Sequence, residues 1–419
     1  MNKDRFFLAV TLSSRVVIGF ASLMALARTL GPADYGFMAT ILAYSQIAAM
    51  LTDFGFGVQA LRDIGAEPDR AGELIAACIR VKNFLVAMAT ALVVGVLLTR
   101  HLSSELFSAS LMLYGSIMVM SYGDMAIMAL RGIGRFDVEA YAAWVGVVLF
   151  LIIVVGTALL KPQILALSTA LLLARIGQAV LFFSVVGRFV RFGNCVFGRL
   201  RDIIRFARDS SGLALDTILS VIPAQLDTVF VSSLLGLHAA GTYQVASRLA
   251  NYVQLPIQIL AQVYMPRLAH SIRNDPAESA RLERFMVLEF AGIGLALGFA
   301  FALLAPTLTP YAFGKEYVVP LDLWVAFAIS FFVTSIAAAL GVALVAHRDI
   351  FYRVVGQLVS VTTIVIGFWF FLPTFGLVAA PGAVIAGLTL SAILYIWRLL
   401  LLNRRWSAHS HIEIRPRND

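Results

Sequence analysis

Runs of twenty or more apolar residues, separated by short polar stretches, recur from one end of the chain to the other. At a rise of about 1.5 Å per residue each run matches the hydrocarbon core of a bilayer. The pattern predicts twelve spanning helices, near 6–27, 36–60, 74–98, 105–130, 138–160, 163–187, 205–235, 240–266, 284–312, 319–346, 350–372 and 378–402. The first run follows Lys3 and Arg5 and ends in Ala25-Leu26-Ala27, as a cleaved secretory signal would. Its length and its internal Arg15 predict a retained helix instead.

Composition agrees with the pattern. Hydrophobic residues fill 60% of 419 positions, charged residues 13%, and the mean hydropathy is +0.88. Soluble domains carry about 25% charged residues. The chain is therefore expected to be an all-α integral membrane protein. A formal net charge of +8 raises the question of a nucleic-acid partner, and the placement of the basic residues answers it. One set of loops holds only Arg28, Arg100, Lys161 and Lys315, while Lys3, Arg5, Arg62, Arg70, Arg131, Arg135, Arg188, Arg191, Arg267, Arg273, Arg348, Arg404 and others collect on the opposite side. That is the distribution of a topology signal, which predicts both termini in the cytoplasm and no nucleic-acid partner.

The longest connection, Arg188 to Arg208, is basic and suits anionic headgroups. It divides the chain into an N-terminal lobe of helices 1–6 (1–187), a cytoplasmic linker (188–204), a C-terminal lobe of helices 7–12 (205–402) and a polar tail (403–419). Cys78 and Cys195 are the only cysteines and have no ligand spacing, and His409 and His411 fall in the tail, so neither disulfide nor metal site is expected. There is no P-loop, no dinucleotide fingerprint and no catalytic constellation, so no cofactor and no enzyme activity are expected.

Ionisable residues inside a membrane, at roughly 2.5–3.5 kcal/mol each on insertion scales, face a bundle interior or an aqueous cavity. Arg15, Asp53, Asp124, Arg175, Asp216, Asp227 and Arg248 qualify. In the seventh span Asp216, Ser220, Pro223 and Asp227 share one helix face, and in the eighth so do Gln244, Arg248, Asn251, Leu255, Gln258 and Gln262. Asp227 and Arg248 both lie about 12 Å from the turn between their helices. Two readings follow: an ion pair that locks the helices, or an arginine that binds an anionic ligand with Asp227 orienting it. The long amide stripe favours the second, with Gln244, Arg248, Asn251 and Gln258 as lumen residues. Arg15 and Asp53 form the matching candidate pair in the first lobe, while Arg175 and Asp124 serve packing or ligand contact equally well. Asp53, Asp216 and Asp227 are the candidates for ion coupling. Pro223 and Pro256 each remove a backbone hydrogen bond, which predicts helix kinks.

The halves share a motif. Leu30-Gly31-Pro32-Ala33-Asp34-Tyr35-Gly36-Phe37-Met38 aligns at one constant offset with Leu235-Gly236-Leu237-His238-Ala239-Ala240-Gly241-Thr242-Tyr243, each between two spans. Taken with Asp53-Phe54-Gly55, Arg131-Gly132, Arg135-Phe136 and Leu226-Asp227, these turns resemble the oligosaccharide flippase family of the multidrug/oligosaccharidyl-lipid/polysaccharide (MOP) exporter superfamily. The resemblance implies a MATE-like, V-shaped pair of six-helix lobes around a cationic lumen, in a bacterial inner membrane. It implies transfer of an undecaprenyl-diphosphate-linked oligosaccharide, a precursor of O-antigen, capsule or exopolysaccharide, to the outer leaflet by alternating access. Arg15 and Arg248, then Arg175, are the positions onto which the family's anion-binding lumen charge carries. Proton or cation coupling, and a polysaccharide polymerase and glycosyltransferases as pathway partners, are further implications. Two rivals stand beside this expectation. A MATE-like drug or cation antiporter would favour a more acidic cavity. A membrane glycosyl or acyl transferase would need larger outward loops and an acidic or histidine site.

Overall fold

The computed structural model describes residues 3–53, 55–99, 101–191, 219, 222–274 and 276–410. Among these residues there are helices and no strands. The α-helices are α1 (Lys3–Asp53), α2 (Phe56–Ala66), α3 (Ala71–Thr99), α4 (Ser104–Gly132), α5 (Phe136–Leu160), α6 (Ile164–Val186), α7 (Pro223–Leu235), α8 (Leu237–Val253), α9 (Leu255–Asn274), α10 (Pro276–Phe313), α11 (Leu321–Ala346), α12 (Ile350–Phe375) and α13 (Ala379–Ser410). Eight helical stretches among the described residues are long and apolar enough to cross a bilayer, and the last, Ile350–Leu402, contains two helices in series. Helices dominate because hydrocarbon offers no hydrogen-bond partners, and a helix satisfies its own backbone.

Most spans end within a few residues of the expected positions, at places with a local cause. Ser103 caps α4, its hydroxyl accepting the Leu106 N–H at 3.3 Å. Glu105 opens that helix and Arg131 closes it, each complementing the helix dipole. Three departures from the sequence pattern are instructive. The first two expected spans form the single element α1, with a corner at Gly31 (φ 74°, ψ 172°). The second span stops at Asp53 rather than running to residue 60, because Gly55 takes a left-handed conformation (φ 73°) and starts the separate short helix α2. The eighth span is broken at Gln254 into α8 and α9, with Pro256 in the first turn of α9, where its missing N–H leaves no bond unmade. Pro223 likewise stands at the first position of α7. Of the seventh span, only residues 219 and 222–235 are described.

The chain divides into two compact units, one of Met1–Val245 with Ala312–Tyr317 and one of Ala246–Tyr311 with Val318–Asp419. The division follows Val245, within α8, and the expected linker at 188–204 is described only as far as residue 191. In the first unit Phe56, Ile64, Ile75, Met125, Leu130 and Phe182 form a core beneath α2. In the second, Tyr264, Leu268, Phe290, Leu340 and Tyr395 do the same. Outward, Leu92, Leu160, Phe299 and Phe370 are exposed. Exposed apolar residues on this scale mark a lipid-facing surface.

The repeated motif has a structural counterpart inside the first unit. Gly31 and Gly236 have nearly the same backbone angles, φ 74° and ψ 172° against φ 90° and ψ 172°. The two turns then cross. A Cβ on Gly36 would fall 1.8 Å from the Leu237 carbonyl oxygen, and a Cβ on Gly241 would fall 1.9 Å from the Pro32 carbonyl oxygen. Gly36 corresponds to Gly241 and Pro32 to Leu237 in the aligned motifs, so the contact is reciprocal. Backbone meets backbone here, as small residues permit at membrane helix crossings. Beside the crossing, the Tyr317 hydroxyl donates to the Ala27 carbonyl at 2.7 Å, in the last turn before the Gly31 corner, and its ring meets Tyr35 edge-on at 6.5 Å. Burial raises the Tyr317 phenol above its ordinary pKa, which keeps it a donor.

Gly36→Ala and Gly241→Ala are each expected to destabilise the protein by about 1–3 kcal/mol, the usual range for overpacking. Gly292→Ala, where an added methyl meets nothing within 4 Å, serves as control. Thermal unfolding in detergent checks this; equal melting temperatures for all three variants would refute the crossing.

Candidate functional site

Asp227 sits on α7 with 6% of its surface exposed. Its Oδ2 accepts the Tyr243 hydroxyl at 3.0 Å, and its Oδ1 accepts the Thr228 backbone N–H at 2.5 Å. The Thr228 hydroxyl lies 3.0 Å from Asp227 Oδ1 and 2.7 Å from Gln244 Oε1, one proton between two acceptors. Asp227 and Gln244, singled out separately in the sequence, therefore belong to one buried network that fastens α7 to the start of α8. Such a network carries weight because an unpaired polar group in this environment is costly.

The expected amide stripe is not uniform. Gln244 is buried, Arg248 is half-buried, and Asn251, Gln258 and Gln262 are exposed. The break at Gln254 separates them, with Arg248 and Asn251 on α8 and Gln258 and Gln262 on α9. Arg248 and the exposed amides lie in the second unit. The side chain of Arg15, and Asp216 and Ser220 altogether, fall outside the described residues.

Asp53 was expected to answer Arg15, whose side chain lies outside the described residues; among the described residues its cation is Lys82. Lys82 of α3 donates to Asp53 Oδ1 at 2.5 Å and also to the Ser121 hydroxyl on α4. Ser121 in turn lies 2.7 Å from Asp53 Oδ2. The Lys82 side chain is 1% exposed and that of Asp53 43%. The ammonium also sits 4.7 Å from the centre of the Tyr122 ring, whose hydroxyl donates to Asn83 at 2.6 Å. Lys82 was missed in the sequence although it lies eleven residues inside α3, about 16 Å along the axis, as deep as residues that were singled out.

The loop motif Arg131-Gly132 with Arg135-Phe136 is also explained. The Arg131 guanidinium donates to both oxygens of buried Glu139, through Nε at 3.2 Å and through Nη2. Gly132 packs against Ile64, where a Cβ would come within 2.6 Å, and Arg135 bonds Asp137 at 3.1 Å. Arg175 on α6 donates to Gln178 Oε1 at 2.8 Å and stacks 4.3 Å over the Phe150 ring. Both Arg175 and Asp124 line a cavity inside the first unit. Among the described residues no cluster of three or more His, Cys, Asp or Glu could hold a metal, and Cys78 is a buried free thiol.

Apolar spans, a repeated helix corner and polar groups buried among helices mark a multi-pass membrane protein. Residues 3–272 match the family described as polysaccharide biosynthesis protein, and the chain belongs to that family. No curated protein matches the chain. Among solved structures it resembles the lipid II flippase MurJ in an inward closed conformation, with a TM-score of 0.73 and 13% identity over 94% of this chain and 87% of that one. An inward-facing multidrug resistance MATE family transporter of the MOP superfamily gives a TM-score of 0.69 and 14% identity over 94% of this chain and 98% of that one. A MOP superfamily transporter from Pyrococcus furiosus, described as having a binding pocket of reversed polarity, gives 0.62 and 14% over 94% and 93%. At TM-scores of 0.62–0.73 and 13–14% identity, these likenesses establish a fold shared with MOP superfamily transporters.

The Asp53–Lys82 geometry makes an asymmetric prediction. Asp53→Leu leaves a fully buried ammonium without its carboxylate and is expected to destabilise by about 3–5 kcal/mol. Lys82→Met leaves a carboxylate that water can reach and is expected to cost less, and the double variant is expected to recover most of the loss. A double-mutant cycle by thermal unfolding checks this; equal, additive losses would contradict it.

Proposed function

We propose that the protein is a flippase that moves an undecaprenyl-diphosphate-linked oligosaccharide, the precursor of a surface polysaccharide, from the inner to the outer leaflet of a bacterial inner membrane by alternating access. Membership of the polysaccharide biosynthesis family over residues 3–272 is the observation that carries this reading. The fold shared with a lipid II flippase supports it, because that relative handles a lipid-linked substrate.

The chemistry of the second unit agrees. Asn251, Gln258 and Gln262 are exposed on helices α8 and α9, in a chain that also exposes many large apolar residues. Exposed amides are poorly placed against hydrocarbon and well placed along an aqueous path for a hydroxyl-rich glycan. Arg248, two or three turns before Gln258, supplies positive charge on the same path, suited to the diphosphate or an acidic sugar. Arg15 and Arg175 are assigned as further lumen residues of the first unit, and Gln244 anchors α8 through Thr228. We assign ion coupling to the carboxylates Asp53, Asp216 and Asp227. Both termini are placed in the cytoplasm, with the basic linker against anionic lipid and the glycosyltransferases and polymerase of the pathway as functional partners. In this reading the lobes are 1–187 and 205–402, and no bond is made or broken by the protein.

A second reading, a drug or cation antiporter, draws on the MATE fold neighbours. The arginines at positions 15, 175 and 248 argue against it, because a cation pathway favours carboxylates. A deletion strain with unchanged drug sensitivity and lost polysaccharide supports the flippase.

Arg248→Ala is expected to abolish surface polysaccharide while the protein still inserts at its normal level, with Arg248→Lys retaining part of the activity. Immunoblotting of membranes and of extracted polysaccharide checks this. Normal polysaccharide in the alanine variant would remove Arg248 from the pathway.

A further inference from the structure

A cavity of about 330 Å³ lies entirely inside the first unit. Gln46 of α1, Asp124 of α4, and Arg175 and Gln178 of α6 supply its polar wall, and Met120 and Val147 part of its apolar wall. Its volume is at the low end of the roughly 300–1,000 Å³ typical of ligand sites, room for one small ring rather than a chain of rings. The polar wall holds one carboxylate and one guanidinium, so its formal charge is balanced. Balance suits neither a diphosphate, which calls for excess positive charge, nor an organic cation, which calls for the reverse. The donors and acceptors, however, are those that adjacent hydroxyl groups require: two amides that offer both, a guanidinium that only donates and a carboxylate that only accepts.

The wall is also held in place. Arg175 is fixed by its bond to Gln178 at 2.8 Å and by the Phe150 ring beneath it. The Gln178 amide occupies space that Gly146 leaves open, since a Cβ there would come 3.0 Å from Gln178 Nε2. Fixed polar groups of this kind discriminate strongly, because a ligand that lacks the matching hydroxyl leaves them unpaired.

We propose that this cavity is a subsite for one neutral sugar ring of the transported glycan and that it sets which glycan is accepted; the proposal rests on the flippase reading above. The test uses the intact protein in nanodiscs, titrated by saturation-transfer NMR with methyl glycosides of glucose, galactose and N-acetylglucosamine, and with inorganic pyrophosphate and tetraphenylphosphonium as charged probes. At least one neutral glycoside is expected to bind saturably, and Gln178→Leu to weaken it by about tenfold, the worth of one or two hydrogen bonds. Gln46→Leu, on a different helix, is expected to do the same, which keeps the test open should one variant not fold. Absence of glycoside binding, or binding indifferent to both substitutions, would overturn the subsite.

Transport of a labelled lipid-linked oligosaccharide by the wild type in liposomes separates the two proposals. Transport without glycoside binding sinks the subsite and leaves the flippase standing. No transport, with tetraphenylphosphonium displaced from the cavity by protons, overturns both in favour of a cation exporter.

Discussion

Where Gly36 meets Leu237 and Gly241 meets Pro32, backbone packs on backbone with no side chain between them. This crossing fixes the first unit. It sets the positions of the two arms of α1 relative to α7 and α8, and it can form only because both corners bend at a glycine with positive φ, Gly31 and Gly236. The Asp227–Tyr243 and Thr228–Gln244 bonds lie just beyond it on α7 and α8, and Tyr317 closes its flank through Ala27. A near-symmetric contact built from two copies of one motif is the structural trace of an internal repeat, the organisation common to membrane transporters.

Much of the fold was legible in the sequence, for a physical reason. A bilayer admits few backbone solutions, so a run of apolar residues such as 105–130 or 319–346 leaves little choice but a helix. The break at Gly55 was less legible, because the local backbone turns there without a change in hydropathy, whereas Pro256 marked the break at Gln254. The repeat was visible as Leu-Gly followed by a second glycine, and its significance became clear only when the two second glycines met.

The polar residues divided differently from the spans. Helical spacing identifies which residues share a face, but it cannot name a partner on another helix. Asp53 is held by Lys82 and Ser121, two residues that its spacing did not point to. Lys82 was passed over although it lies eleven residues inside α3. Elsewhere charge serves packing: Arg131 with Glu139 between α4 and α5 and, in the second unit, Arg398 with Asp349 at 2.6 Å, while His347 and Glu283 share a hydrogen bond at 2.6 Å. Buried pairs of this kind hold helices in register and, taken alone, say little about substrate. The functional argument therefore rests on polar groups that line space, namely the exposed amides of α8 and α9 and the cavity around Arg175, read together with membership of the polysaccharide biosynthesis family.

The most direct test of that argument is reconstitution of the purified protein into liposomes carrying a fluorescent undecaprenyl-diphosphate-linked oligosaccharide in both leaflets, with an impermeant quencher added outside. The account predicts that quenching proceeds beyond the outer-leaflet half in protein-containing liposomes and stops at that half in protein-free ones. Quenching that stops at half in both would contradict it.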